Sequence, residues 1–167
     1  MFCLYCFYSV RWVLRNLYRK TESDRYKLSL GGQHEININY HNRLYLNLNI
    51  QILTSDNFLN NELFRFGGVN FIRGFAENWL FGSRFGVLQT KYRCILDTNL
   101  YVNTVIDVGN CEDKLNNVNE NTVGYGAGIG PKLQAGVFNL IIANSISNML
   151  KCVFSNRRIH INFTSFF

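Results

Sequence analysis

The chain has 167 residues, 47% of them apolar and 17% charged, with 14 Phe, 9 Tyr, 13 Gly and a single Pro; that charge content is low against about 25% in ordinary soluble domains. The formal charge of +6 is not carried on a basic face of a recognisable reading module, which argues against nucleic acid as a partner. No segment approaches the roughly 18 uninterrupted apolar residues of a membrane-spanning helix, whereas an aromatic, Asn-rich, charge-poor chain suits either a membrane β-barrel with a polar lumen or a soluble β-barrel or sandwich.

Residues 1–24 stand apart from the rest. The apolar run MFCLYCFYSV comes before its basic residues Arg11, Arg15, Arg19 and Lys20, the reverse of the order in a secretory signal. Two readings of this segment remain: a short interfacial helix carrying Trp12 and Leu14, or an artefact of where the reading frame opens. The second is preferred, and with it the expectation that the gene product is incomplete. Residues 25–167 are expected to form the structured part.

From Glu35 the chain reads as strands. In 35–40, Ile36, Ile38 and Tyr40 alternate with Glu35, Asn37 and Asn39. In 44–52, Leu44, Leu46, Leu48, Ile50 and Ile52 alternate with Tyr45, Asn47, Asn49 and Gln51. This is the period of two that puts one residue type on each face of a sheet, with His41, Asn42 and Arg43 as the turn. Alternation is lost over 54–83, which contains FRFGGVNFIRGFAENWLFGS; long irregular loops inside compact domains are usually functional. Strands resume at 84–95, 99–109, 123–133, 136–144 and 158–167. Lengths near ten residues match tilted membrane strands. Short connections at 96–98 and 134–135 alternate with long ones at 110–122 and 145–157, as in membrane barrels. The fold class expected is all-β: a partial antiparallel transmembrane barrel of about seven or eight strands with one in-folding loop. An eighth strand would have to lie within 22–33, where the pattern is poor.

Catalytic and metal chemistry find little support. Cys3 and Cys6 have C-x-x-C spacing but no second pair and no nearby His, and Cys94, Cys111 and Cys152 complete an odd set better read as unpaired. His34, His41 and His160 lack ligand spacing, and no G-x-S-x-G elbow is present. Gly124, Gly126, Gly128 and Gly130 fall on one face of their strand, leaving room for the loop or for close approach of neighbouring backbone. A phosphate loop would need a following helix, and none is expected. Neither a cofactor nor an enzymatic activity is expected.

The segment FRFGGVNFIRGF, followed by LQTKYR, IDVG, GYGAGIG and FNLIIAN, resembles the C-terminal part of the BamA/TamA-like outer-membrane assembly barrels, the bacterial surface antigens. The resemblance covers roughly 60–167 and more loosely begins at Tyr26. It implies that the loop motif Ile72, Arg73, Gly74 and Phe75 folds into the lumen. Arg73 would contact an inward acidic residue, Asp107, and Phe75 would pack on the wall. It also implies an assembly signal in the last strand, carried by Ile159, Ile161, Phe163 and Phe167. The implied role is insertion of unfolded outer-membrane proteins, or their translocation, at the bacterial outer membrane. Its partners would be lipid, those substrates, a missing N-terminal half of the barrel and periplasmic repeats. In one place the chain departs from the pattern: Lys91 stands where the family carries Glu, which would put a like charge near Arg73. The rival readings are a small independent barrel acting as a pore or structural protein, a soluble lipocalin-type barrel, and an inactive fragment.

Overall fold

The computed structural model describes residues 13–16, 25–55, 58–133, 136–147 and 157–165. Ten strands follow in chain order: β1 (Val13–Asn16), β2 (Arg25–Asn37), β3 (Asn42–Ser55), β4 (Phe64–Phe66), β5 (Leu80–Gly82), β6 (Arg84–Asp97), β7 (Leu100–Asp113), β8 (Val118–Leu133), β9 (Gly136–Ser147) and β10 (Arg158–Ser165). Eight of them form one antiparallel sheet in the order β1-β2-β3-β6-β7-β8-β9-β10. Each strand lies beside its neighbour in the chain, except that β4 and β5 leave the sheet as a separate hairpin between β3 and β6. The seven long strands, β2 to β10 of this sheet, make an antiparallel half-barrel, with β1 added along β2.

The alternation in the sequence sorts cleanly onto two faces. Leu44, Leu46 and Leu48 lie across from Tyr92, Thr90 and Leu88, and Ile106 lies across from Tyr125. This apolar set faces away from the loop and is half-buried at Leu44 and Leu46 and exposed elsewhere along it, Leu48 at 45% and Ile106 at 55%. The inner face carries Asn47, Gln89, Asn103 and Asp107. Asn47 Nδ2 donates to Gln89 Oε1 at 2.8 Å, and Asn103 Nδ2 to Asn139 Oδ1 at 2.9 Å. Buried amides are tolerated when they hydrogen-bond one another across strands in this way.

Several boundaries differ from the sequence expectation, each for a physical reason. Residues 25–33 do not make a separate strand: they continue into 35–37 as β2, paired along its length with β3. Gly31 and Gly32 interrupt the apolar pattern there without interrupting the backbone ladder. The first turn is 38–41 instead of 41–43. Asn39 Oδ1 accepts from the backbone N–H groups of His41 at 2.9 Å and Asn42 at 2.8 Å, a local side-chain cap that starts β3 at Asn42. The long connection expected over 110–122 shrinks to 114–117, because β7 and β8 extend beyond their apolar segments. Asn110 Nδ2 bridges to Asn119 Oδ1 at 3.0 Å and Asn121 Oδ1 at 2.8 Å, so polar residues sustain the pairing. The strands are accordingly longer than ten residues, 14 in β7 and 16 in β8. Val13–Asn16 is a strand paired with β2, not a helix; the rest of the N-terminal segment lies outside the described residues.

Candidate functional site

The irregular stretch between β3 and β6 is built around aromatic packing. Phe66 stacks on Phe85 with ring centroids 4.3 Å apart, and Phe64 and Phe71 meet Phe85 edge-on at 5.8 and 5.5 Å. Ile72, Phe75, Leu80 and Val87 complete the cluster. Ser83 closes the base of the excursion, its carbonyl accepting from Leu53 N–H at 2.8 Å and its N–H donating to Glu112 O at 2.9 Å. Higher up, Val69 N–H donates to Glu77 Oε1 at 2.8 Å, so the two limbs of the loop are tied to each other before the tip is reached.

At the tip, Arg73 is 3% exposed and Asp107 is fully buried. Arg73 Nε donates to Asp107 Oδ2 at 2.7 Å, its Nη2 donates to Oδ1, and its own backbone N–H reaches Oδ2 at 2.9 Å. A further Nη2 bond goes to the Thr90 carbonyl at 3.2 Å. The guanidinium and carboxylate therefore meet as two forks, with an extra backbone donor on the carboxylate. That geometry offsets the desolvation of a buried pair, where an unpaired charge would not be tolerated.

Three neighbours complete the tip. Gly74 holds φ at +99°, a backbone region costly for any residue with a Cβ; a Cβ there would also run into the Asn144 carbonyl. Its N–H donates to His160 Nε2 on β10 at 3.1 Å, and its carbonyl accepts from Ser145 Oγ on β9 at 3.1 Å. The tip thus spans from β6 and β7 to the edge strand. Room for it comes from missing side chains on the sheet: a Cβ at Gly124 would meet the Arg73 carbonyl, and one at Gly109 would meet Ile72 Cδ1 at 2.5 Å. The four glycines of β8 divide their labour. Gly124 accommodates the loop, Gly126 and Gly128 lie against the backbone of β9, and Gly130 lies under the Tyr101 ring.

Of the residues singled out from the sequence, Ile72, Arg73, Gly74, Phe75 and Asp107 come together here, with Phe75 buried in the aromatic cluster and stacked on Trp79 at 6.0 Å. Lys91 follows the Thr90 carbonyl that Arg73 Nη2 reaches, near enough for its charge to act on Arg73 and Asp107. It is directed along the inner face, its ammonium over the Tyr45 ring at 5.5 Å, while Arg73 is satisfied by both Asp107 oxygens and a backbone carbonyl. Ile159, Ile161 and Phe163 lie on the outer face of β10, more than half exposed; Phe167 lies outside the described residues. Cys94 and Cys111 are free thiols. His160, Ser145 and Thr90 were not singled out from the sequence as contacts of the loop. His160 was legible only as a polar, inward position of its strand, because its partner depends on where the loop lands. A scan of protein-family models and a search of curated proteins return no match to this chain.

Proposed function

We propose that this chain is part of the wall of an outer-membrane β-barrel of the BamA/TamA-like kind, serving insertion or translocation of outer-membrane proteins, with its long loop latched inside by Arg73 and Asp107. The observation that carries the membrane part is the inversion of the sheet. Apolar side chains stand exposed on the outer face along the middle of the long strands, including Leu48, Leu88, Ile106, Ile129 and Ile142, while Asn47, Gln89, Asn103 and the Arg73–Asp107 pair lie on the inner side with the loop's apolar cluster. A soluble lipocalin-type barrel has the opposite need, since its interior is its apolar core. A bilayer instead rewards an apolar exterior and a hydrogen-bonded interior.

The assembly role rests on the loop motif and on the edge. β10 carries Ile159, Ile161 and Phe163 outward and is the last strand of the sheet among the described residues, so its edge offers backbone groups to an extended incoming segment. On this reading the remaining wall and the periplasmic repeats come from elsewhere, and the substrates are unfolded outer-membrane proteins. The runner-up is a small pore or structural barrel, favoured by the eight strands of the sheet among the described residues.

The test is reconstitution of the full chain in phospholipid vesicles, followed by measuring the folding rate of an added outer-membrane barrel protein. Faster folding that is lost in Asp107→Asn supports the assembly role. Stable membrane insertion without acceleration transfers the case to the small barrel. A chain that stays monomeric in buffer without detergent sinks the membrane reading altogether.

A further inference from the structure

Away from the loop tip, toward the end of the sheet with the turns 38–41 and 98–99, the inner face gathers three cations. Arg43 on β3 stands directly opposite Arg93 on β6, and Lys91 stands opposite Tyr45. With Glu35 of β2 these residues line a pocket of about 290 Å³. Like charges placed directly across two strands repel and destabilise the pairing, so this arrangement calls for a compensating charge. Among the described residues lining the pocket, Glu35 is the sole carboxylate, and it lies 3.6 Å from Arg43 Nη1. Asp107, the nearest other inward acid, is fully engaged by Arg73. Lys91 and Arg93 are therefore left without a carboxylate partner.

The two cations are nevertheless held in place. The Arg93 guanidinium lies over the Tyr101 ring at 4.6 Å and Lys91 Nζ over Tyr45 at 5.5 Å. Aromatic faces orient cations without neutralising them. Arg93 Nε is buried with no hydrogen-bond partner among the described residues. Tyr45 donates its hydroxyl to Gln33 Oε1 at 3.0 Å, so that proton is turned away from the pocket.

We infer that the pocket between Arg43, Tyr45, Lys91 and Arg93 binds a small, water-soluble anion of the phosphate class. Two guanidinium forks and an ammonium match a multiply charged oxyanion with several acceptor oxygens. The volume admits a group of that size and excludes a folded partner. The site opens on the inner face, opposite the apolar exterior, which removes it from lipid headgroups surrounding the sheet. It follows from the inner-face geometry alone and would hold for a pore as well as for an assembly factor.

The experiment uses the full chain refolded in detergent, with inorganic pyrophosphate as the probe, followed by calorimetric titration and thermal unfolding. Saturable binding with a raised melting temperature is expected, and Lys91→Gln and Arg93→Gln should each weaken it by at least about tenfold. Arg84→Gln, on the same strand but paired with Glu112 at 3.4 Å, should leave affinity unchanged. Without ligand, Lys91→Gln should melt no lower than the parent, since a repelling cation has gone; lost binding is then not lost folding. Absence of saturable binding by the parent chain overturns the assignment, as does an affinity in both variants equal to that of the parent. Competition by short-chain phosphatidylglycerol at matched phosphate concentration would overturn its water-soluble character.

Discussion

Two charged regions share the inner face of this sheet, and they are finished differently. Around Asp107 the chain supplies its own counter-ion: the loop carries Arg73 in, and both charges are buried and hydrogen-bonded to each other as two forks. Around Arg93 the chain supplies cations from adjacent strands and sets a single carboxylate among them. The strands, the register and the polar inward pattern are the same in both places. What differs is whether a segment of the chain closes the charge. A buried pair resists change because either partner alone is costly, whereas a half-open cluster of like charges tolerates losing a member.

The contrast is broken most severely at Asp107. Asp107→Asn keeps the shape but leaves the Arg73 guanidinium in a buried site without its counter-ion, at an expected cost of about 3 to 5 kcal/mol. Denaturant unfolding in detergent measures that loss, and trypsin cleavage after Arg73, protected in the parent, reports release of the tip. If the double change Arg73→Met with Asp107→Leu is as unstable as Asp107→Asn, the pair is not the reason for the cost. Replacing both charges together should recover much of the stability, because no charge is then stranded.

A smaller effect is expected at Gly74. Gly74→Ala forces a Cβ into a backbone conformation at φ +99° and against the Asn144 carbonyl, costing about 2 to 3 kcal/mol. Cleavage at Arg73 should again appear, now with the ion pair chemically intact, so comparison with Asp107→Asn separates the backbone course of the tip from its charge. Full protection in Gly74→Ala would mean the tip can be held by the ion pair alone.

His160→Phe comes next, with an expected loss of about 1 to 2 kcal/mol as the Gly74 N–H loses its acceptor inside the fold. The informative readout is hydrogen exchange of the β10 amides. If the loop helps fasten the edge strand, exchange in β10 should quicken more than exchange in β7. Equal change in both strands would reduce His160 to ordinary packing.

How much of this was legible beforehand follows the same division. The alternation over Leu44–Ile52 revealed β3 and its faces because the outer apolar set is periodic regardless of what covers the inner one. Where polarity ran through both faces, as at Asn110, Asn119 and Asn121, the pattern vanished although the ladder did not, and two strands were read too short. Gly31 and Gly32 hid part of β2 in the same manner. The contact of Arg73 with Asp107 was approached only through resemblance, since nothing local joins residues so distant in the chain. The partners contributed by His160, Ser145 and Thr90 depend on register and on the landing point of the loop, neither of which a single strand's pattern contains. The like charge expected near Arg73 is there, since Lys91 follows the Thr90 carbonyl that Arg73 Nη2 reaches; what the sequence did not show is that its ammonium rests over the Tyr45 ring, toward the other region.

The smallest expected effect lies in that other region and has the opposite sign. Arg43→Gln removes one of two arginines that face each other across β3 and β6, together with an exposed ion pair to Glu35 whose side chains are 44% and 45% accessible. Exposed pairs of that kind contribute little, and relief of a direct cross-strand repulsion contributes about 0.2 to 1 kcal/mol. Thermal unfolding in detergent at low salt should therefore give a melting temperature equal to or slightly above that of the parent. Raising the salt should narrow the difference, since partly solvated charges are screened. A clear loss of stability would mean that Arg43 is bound to something stronger than Glu35, and the charge surplus on which the contrast rests would then have to be redrawn.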